Sequence, residues 1–140
     1  MTRLFSKTLL TVGLSALVGS LTLSAKNVQL VADIPFAFHA EGKVMPAGQY
    51  IFSDKGFAGI FQISNPKARI SRFVSAPVQK HDAPTDSKLT FARYGNEYVL
   101  TEISEAGSPY SNGVTPSAVE KNLTRKLSVS AVMAIPLRVQ

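Results

Sequence analysis

Residues 89–103 have the sequence LTFARYGNEYVLTEI, and this stretch decides the fold class. Two runs in which apolar and polar residues alternate lie on either side of Gly95 and Asn96. Glycine accepts a positive φ without a steric clash at Cβ, so this pair favours a two-residue turn between antiparallel strands. We therefore predict a β-hairpin whose strands are the two alternating runs.

A two-residue loop also sets the register of this hairpin. The predicted opposed pairs are Tyr94 with Glu97, Arg93 with Tyr98, Phe91 with Leu100, and Leu89 with Glu102. Directly opposed residues share a face, so this register collects the large apolar side chains on one face, whereas a slip by one residue would scatter them. Arg93 then lies against Tyr98. Its guanidinium either binds an anionic ligand or forms a cross-strand cation–π pair with the Tyr98 ring.

The first 25 residues predict an export signal. Arg3 and Lys7 precede an apolar, acid-free run over residues 8–23, and the small residues Ser24 and Ala25 follow it. The run is shorter than the roughly 20 residues that span a bilayer. We expect cleavage after Ser24 or after Ala25 and a periplasmic or extracellular location; an uncleaved membrane anchor is the competing interpretation.

Residues 26–140 are enough for a single domain with one modest core. They contain no second long apolar run, so no membrane span is expected after signal removal. The chain has no cysteine, which excludes disulfides, zinc-thiolate sites and thiol nucleophiles.

The charge of the chain predicts solubility rather than a polyanionic partner. The 140 residues carry a net charge of +6, and loss of Arg3 and Lys7 leaves about +4. The basic residues are spread along the chain instead of forming a phosphate-tracking stripe. We therefore expect no nucleic-acid partner, with weak attraction to anionic surfaces as the alternative.

Residues 27–39 follow a period-two pattern, which predicts one half-buried strand or two strands joined by a bend. Pro35 has no N–H to donate, so it marks a sheet edge or a break. Phe36 and Phe38 are the best core candidates, and His39 falls on the polar face. Further strands are predicted over 49–53, 59–64 and 68–76, between turns that contain glycine or proline. Short strands at this spacing predict a mainly β fold, an antiparallel β-sandwich or a partly closed barrel.

Residues 77–88 and 106–116 lack any period and predict two long surface loops. Residues 117–127 predict the one α-helix, because Ser117 and Glu120 have the spacing of a capping box. Val119, Leu123 and Leu127 give this helix a narrow apolar stripe that needs a partner surface. Residues 128–139 either extend the helix or form a final strand, and their alternation slightly favours the strand.

No catalytic, metal or cofactor constellation is evident in the sequence. The candidate binding residues are Arg93, Tyr98 and His39. His39 and His81 are the only histidines, and each is more readily explained as a solvated side chain than as a metal ligand or general base. No Gly-x-Ser-x-Gly elbow and no glycine-rich phosphate loop occur. We therefore expect no cofactor and no metal.

Four motifs follow one another along the chain: IPFAF at residues 34–38, PAGQY at 46–50, LTFARYGNEYVL at 89–100 with its RYG core at 93–95, and Ser117-x-x-Glu120. In this order they resemble a family of small exported proteins found in acidobacterial genomes. Met45 stands where relatives usually have leucine, and Val99 where many have a bulky aromatic residue. The resemblance implies export and a mainly β fold, and it implies no functional residues.

Two classes of function remain open. The first is a noncatalytic β-domain that binds a protein partner, an envelope component or a small ligand. The alternative is a small periplasmic hydrolase whose site assembles from residues distant in sequence. A bare strand edge or an apolar groove would favour the first class, and a histidine or carboxylate pair in a deep polar pocket would favour the second.

Overall fold

The computed structural model describes residues 28–56, 59–80 and 82–140. This part of the chain is mainly β, with twelve strands and one helix. In chain order these are β1 (Gln29–Ile34), β2 (Phe38–Ala40), β3 (Lys43–Met45), β4 (Gly48–Asp54), β5 (Ile60–Asn65), β6 (Ile70–Ser75), β7 (Val78–Lys80), β8 (Lys88–Tyr94), β9 (Glu97–Ser104), β10 (Tyr110–Gly113), α1 (Ala118–Lys126), β11 (Val129–Pro136) and β12 (Arg138–Val139). The predicted signal, residues 1–25, and His81 lie outside the described residues.

The strands form two sheets. The first has the order β12-β1-β4-β5-β6 and is antiparallel throughout. The second has the order β11-β8-β9-β10-β7, and the β2–β3 hairpin joins it through a parallel pairing of His39 with Val99. The described residues thus form a β-sandwich with one helix. Of the two predicted architectures, the sandwich and the partly closed barrel, the sandwich is confirmed.

The core lies between the sheets and takes alternate residues from both. Its largest fully buried side chains include Ile34 and Phe52 from the first sheet and Leu100 from the second. Phe38 packs edge-to-face against Tyr50 and Phe91, with ring centroids 5.2 and 5.3 Å apart. Such aromatic pairs contribute about 0.5–1.5 kcal/mol beyond the burial of their area. Since the chain has no disulfide, this packing must hold the two sheets together.

The predicted hairpin is confirmed as β8 and β9, and three of its four predicted pairs are correct. The fourth is wrong, because Leu89 lies opposite Ile103 while Glu102 lies opposite Thr90. The cause is a β-bulge at Thr101, whose hydroxyl donates to the Thr90 carbonyl at 3.0 Å. One extra residue reverses which side chains point inward beyond it. Ile103 therefore enters the core, and Glu102 leaves the apolar face.

The break at Pro35 is confirmed. The chain leaves the first sheet at Ile34, crosses over the end of the sandwich and enters the second sheet at Phe38. The β2–β3 turn then places both Glu41 and Gly42 at positive φ, 50° and 73°. Two consecutive positive φ values match the twist of a tight antiparallel hairpin.

Both predicted long loops are wrong in part. The first contains β7 and ends in the opening residue of β8, and the second contains β10. β7 and β10 pair with each other at the edge of the second sheet. Each strand has three or four residues and is mostly polar, so neither has an apolar face that would produce alternation in the sequence.

The predicted helix and final strand are both confirmed. Ser117 caps α1, and the complete capping box with Glu120 is present. Leu123 packs on the outer face of the second sheet, whereas Val119 and Leu127 stay 45% and 42% exposed. No helix in the described ranges has both the length and the apolarity needed to cross a membrane. After α1 the chain turns into β11, which pairs with β8.

Candidate binding surface

Two of the three predicted site residues, Arg93 and Tyr98, come together at one end of the sandwich. The Arg93 guanidinium carbon lies 5.7 Å from the centroid of the Tyr98 ring, and its Nε donates to the Gly95 carbonyl at 2.8 Å. Phe36 stacks on the same ring with centroids 3.9 Å apart and planes 13° apart. This is the geometry of the cation–π alternative, because the cation is already engaged with groups of the chain itself.

His39 does not join that pair, because it aligns with Val99, which points to the opposite face of the sheet from Tyr98. The solvated position expected for it is wrong: His39 is only 8% exposed. Its Nε2 lies 2.6 Å from Glu97 Oε2, and no described group bonds to its buried Nδ1. An ionised carboxylate only accepts hydrogen bonds, so Nε2 carries a proton in this contact.

A histidine held by a carboxylate is two thirds of a nucleophilic triad. The third member is missing from the described residues, since no serine or threonine hydroxyl there bonds to His39. The described residues do not form a metal site either, because no three His, Asp or Glu side chains among them are grouped to hold an ion. His39 and Glu97 therefore supply no complete catalytic arrangement.

Several residues of the four sequence motifs have structural partners. The Tyr50 hydroxyl donates to the Pro46 carbonyl at 2.6 Å. Glu120 is 1% exposed and accepts from the backbone N–H of Gly42 at 2.8 Å and of Ser117 at 3.0 Å. These groups fix turns and anchor the helix, which leaves them unavailable to a ligand.

The most exposed apolar element is β11. Val129, Val132 and Met133 are 50%, 66% and 38% exposed. Among the described residues β11 pairs only with β8, and no strand is hydrogen-bonded to its other side, which β1 of the first sheet approaches in part. Natural edge strands are usually short, charged, bulged away or covered, because a long apolar edge invites another strand. β11 has eight residues and none of them is charged; a bulge at Ser130 and the terminal Pro136 limit the regular edge to the residues between them.

The other sheet edges differ from β11 in ways that matter for binding. β6 exposes Phe73 to 62% but carries Arg72 beside it. β7 has three residues, of which one is Lys80, and β12 has only two residues. Charge or shortness therefore blunts each of these edges, and β11 is the long uncharged edge of the described sandwich.

Basic residues bound β11 at both ends. Arg125 and Lys126 occupy the last turn of α1, and Arg138 follows β11. Arg138 lies 2.6 Å from Asp33, but both side chains are about 60% exposed, so the pair is screened and weak. The binding surface thus consists of an uncharged strand with positive charge at each end, and we call it the β11 edge.

The charge distribution of the sequence contains a signal for this surface, which apolar periodicity does not reveal. Residues 127–137 contain no charged residue, in a chain of which 17% is charged. Alternation predicted the strand but said nothing about its neighbours, because pairing partners are set by contacts between distant residues. The exposure of β11 therefore became visible only in the assembled sheets.

Comparison with known proteins gives no assignment: no protein-family model, curated protein or solved structure matches the chain. The fold and the β11 edge define a β-sandwich with an open, uncharged strand edge. Its function is accordingly argued from geometry.

Proposed function

We propose that the protein is an exported, noncatalytic domain that binds an extended segment of a partner protein, which adds as a strand to β11. The single observation that carries this proposal is the long, uncharged, exposed β11 edge. An added strand satisfies the outward backbone groups, and its alternate side chains cover the exposed apolar ones.

The charges around β11 define the chemistry of the partner. The matching segment has about eight uncharged residues with alternating apolar side chains, because apolar side chains pair best across the strands with the uncharged side chains of β11. Carboxylates on either side of that segment would meet Lys126 at one end and Arg138 at the other.

A second copy of the chain fits this edge less well than such a segment. Antiparallel pairing of two β11 strands would bring the end of α1 in one copy, which carries Lys126, towards the end of the other copy's β11 that leads to Arg138. Like charges brought together at an interface are destabilising. The charge pattern therefore favours an acidic-flanked partner over self-association.

Two further observations support export, and both come from the sequence. Residues 1–25 have the order of a signal, with basic, apolar and small residues in turn. The four motifs also resemble those of small exported acidobacterial proteins. A partner in the periplasm or outside the cell, such as an envelope protein with an exposed extended segment, is consistent with both.

A synthetic peptide tests the proposal. The test peptide has eight alternating valine and threonine residues with two aspartates at each end. A control peptide has the same central residues with two lysines at each end. Isotope-labelled protein, purified after expression of the full chain, is titrated with each peptide while hydrogen exchange is followed by NMR. We expect the acidic peptide to bind and to slow exchange of the β11 amides, and the basic peptide to bind at least about tenfold more weakly.

Two matched variants locate the binding. Val132→Lys introduces a charge at a side chain that is 66% exposed on β11, and Phe73→Lys does the same at one that is 62% exposed on β6. Val132→Lys should weaken peptide binding at least about tenfold, because an edge lysine obstructs strand addition, while Phe73→Lys should not change it. Protection that maps to β6, or binding indifferent to Val132→Lys, refutes the proposal. If instead the protein forms a concentration-dependent dimer in which the β11 amides are protected from hydrogen exchange, the β11 edge binds a second copy of the chain.

A further inference from the structure

A polar cavity of about 260 Å³ lies on the outer face of the second sheet. Its floor follows from the strand register, since Lys88 is opposite Ser104, Thr90 is opposite Glu102, and Ser111 is also opposite Ser104. The core side chains Leu89 and Ile103 alternate with these residues and point the other way. Asp82 and Pro84 complete the wall, and Asp82 already has an interaction of its own, which leaves Lys88 and Glu102 as the charges of the floor.

The floor of this cavity holds opposite charges that are not neutralised within the described residues. Lys88 and Glu102 are both half-buried, yet their side chains form no ion pair with each other and no hydrogen bond with another described group. Long side chains in this diagonal relation can reach each other across the strand pair, so the lack of an ion pair means that Lys88 and Glu102 point to different parts of the cavity. A fully buried charge normally has a partner, and a half-buried charge loses part of its hydration.

A hydroxyl at the same place is also unsatisfied. Ser111 is 1% exposed and its buried Oγ has no hydrogen-bond partner among the described residues. Neighbouring Ser104 is 2% exposed and uses its own hydroxyl on the Lys88 carbonyl, at 3.4 Å. Buried polar atoms without a partner are uncommon in folded proteins and indicate a missing water, ion or ligand.

We propose that this cavity binds a small zwitterion of the α-amino acid type. The ligand's ammonium group contacts Glu102, its carboxylate contacts Lys88, and Ser111 supplies a further hydrogen bond. A zwitterion bridges the two protein charges, whereas a simple anion or cation would leave one of them unpaired. The described lining has no aromatic ring for a sugar to stack on, and a volume of about 260 Å³ suits a small ligand.

The proposal is independent of strand addition at β11, because the two sites share no residue. The test uses protein purified after expression of the full chain and a panel of free L-amino acids with uncharged side chains. Ethanolamine, which lacks the carboxylate, and lactate, which lacks the ammonium group, serve as half-ligand controls. Binding is followed by calorimetry and by NMR shifts of the Glu102, Ser104 and Ser111 amides.

We expect at least one amino acid to bind with shifts centred on those amides, and both half-ligands to bind at least about tenfold more weakly. Lys88→Met and Glu102→Gln should each weaken binding about tenfold or more, while Lys121→Met and Glu105→Gln, which change charges outside the cavity, should not. Near-ultraviolet circular dichroism confirms that each variant is folded.

Ser111→Ala separates a ligand contact from a merely structural hydroxyl. If Ser111 contacts the ligand, the variant binds the amino acid several-fold more weakly; if affinity does not change, that contact is refuted. The whole proposal is overturned if no amino acid of the panel binds, if lactate or ethanolamine binds as tightly as the amino acid, or if the shifts map to another part of the sandwich.

Discussion

Tyr50 illustrates how a single buried residue links sequence to stability. Its side chain is fully buried against Phe38, and its hydroxyl donates to the Pro46 carbonyl at 2.6 Å. Burial raises the pKa of Tyr50 above 10.0, because desolvation disfavours the phenolate, and a hydrogen bond with the Asn65 side chain opposes this in part. The neutral hydroxyl is therefore the form that the folded protein favours.

This raised pKa predicts a loss of stability in alkaline solution. A tyrosine in the unfolded chain titrates near about 10, so the contribution of Tyr50 is fully present below that pH and is lost as the pH rises through the folded pKa. Urea unfolding between about pH 9 and about pH 11 should show the free energy of unfolding falling more steeply for the wild type than for Tyr50→Phe.

Tyr110 provides the matched control for this measurement, since its side chain is 52% exposed. Tyr110→Phe should keep the wild-type dependence on pH. Equal slopes for the wild type and Tyr50→Phe would show that burial of Tyr50 does not couple folding to proton release.

Single residues also show where sequence reasoning stops. Alternation correctly predicted Phe38 in the core, because a period of two follows directly from strand geometry. The same alternation correctly placed His39 on the opposite face, but that face is not exposed to solvent. A second layer covers that face, with Leu123 of α1 packed on the cluster of Ala92, Tyr94 and Val99, and a pattern in one strand contains no information about what covers its outer face.

At the scale of elements, Glu120 joins α1 to the β2–β3 hairpin. One carboxylate oxygen accepts from Ser117 within the capping box, and the other accepts from the Gly42 backbone N–H. The helix buries little apolar surface, because Leu123 is the one member of its stripe packed on the sheet. Its attachment must then depend heavily on Glu120.

We predict that Glu120→Ala lowers the free energy of unfolding by about 2–3 kcal/mol, because two backbone donors lose a charged acceptor in a buried place. Ser117→Ala removes only the other half of the capping box and should cost about 1 kcal/mol. Lys121→Ala, one residue along on the exposed face of α1, should be within about 0.5 kcal/mol of the wild type.

Urea unfolding measures these differences, and NMR shows whether α1 stays docked. A cost for Glu120→Ala no larger than that for Ser117→Ala would mean that the contact with Gly42 adds nothing to the cap.

The elements that could be predicted are those whose signal is local. The hairpin of β8 and β9, the break at Pro35 and the cap at Ser117 each depend on residues within a few positions of one another. The bulge at Thr101 could not be predicted, because it is needed only when Ile103 must reach a core formed by distant strands. β7 and β10 could not be predicted for the same reason: each exists as a strand because the other lies beside it.

At the scale of the whole molecule, the two ends of the described domain meet. β12 pairs with β1, and the Gln140 N–H donates to the Gln29 carbonyl at 3.0 Å. Between β11 and β12 the chain crosses from the second sheet to the first, and Leu137 at this crossing is 8% exposed within the core. Short alternating strands predicted a sandwich, but the division of strands between sheets depends on such crossings, which leave no periodic trace.

The crossing allows apolar packing and surface charge to be compared at neighbouring positions. Leu137→Ala should lower the free energy of unfolding by about 2–4 kcal/mol, because it opens a cavity where the sheets are joined. Arg138→Ala removes the exposed ion pair with Asp33 and should cost no more than about 1 kcal/mol. Urea unfolding of both variants gives the comparison. A larger loss for Arg138→Ala would mean that charge pairing rather than packing closes the sandwich, and high salt would then destabilise the wild type as well.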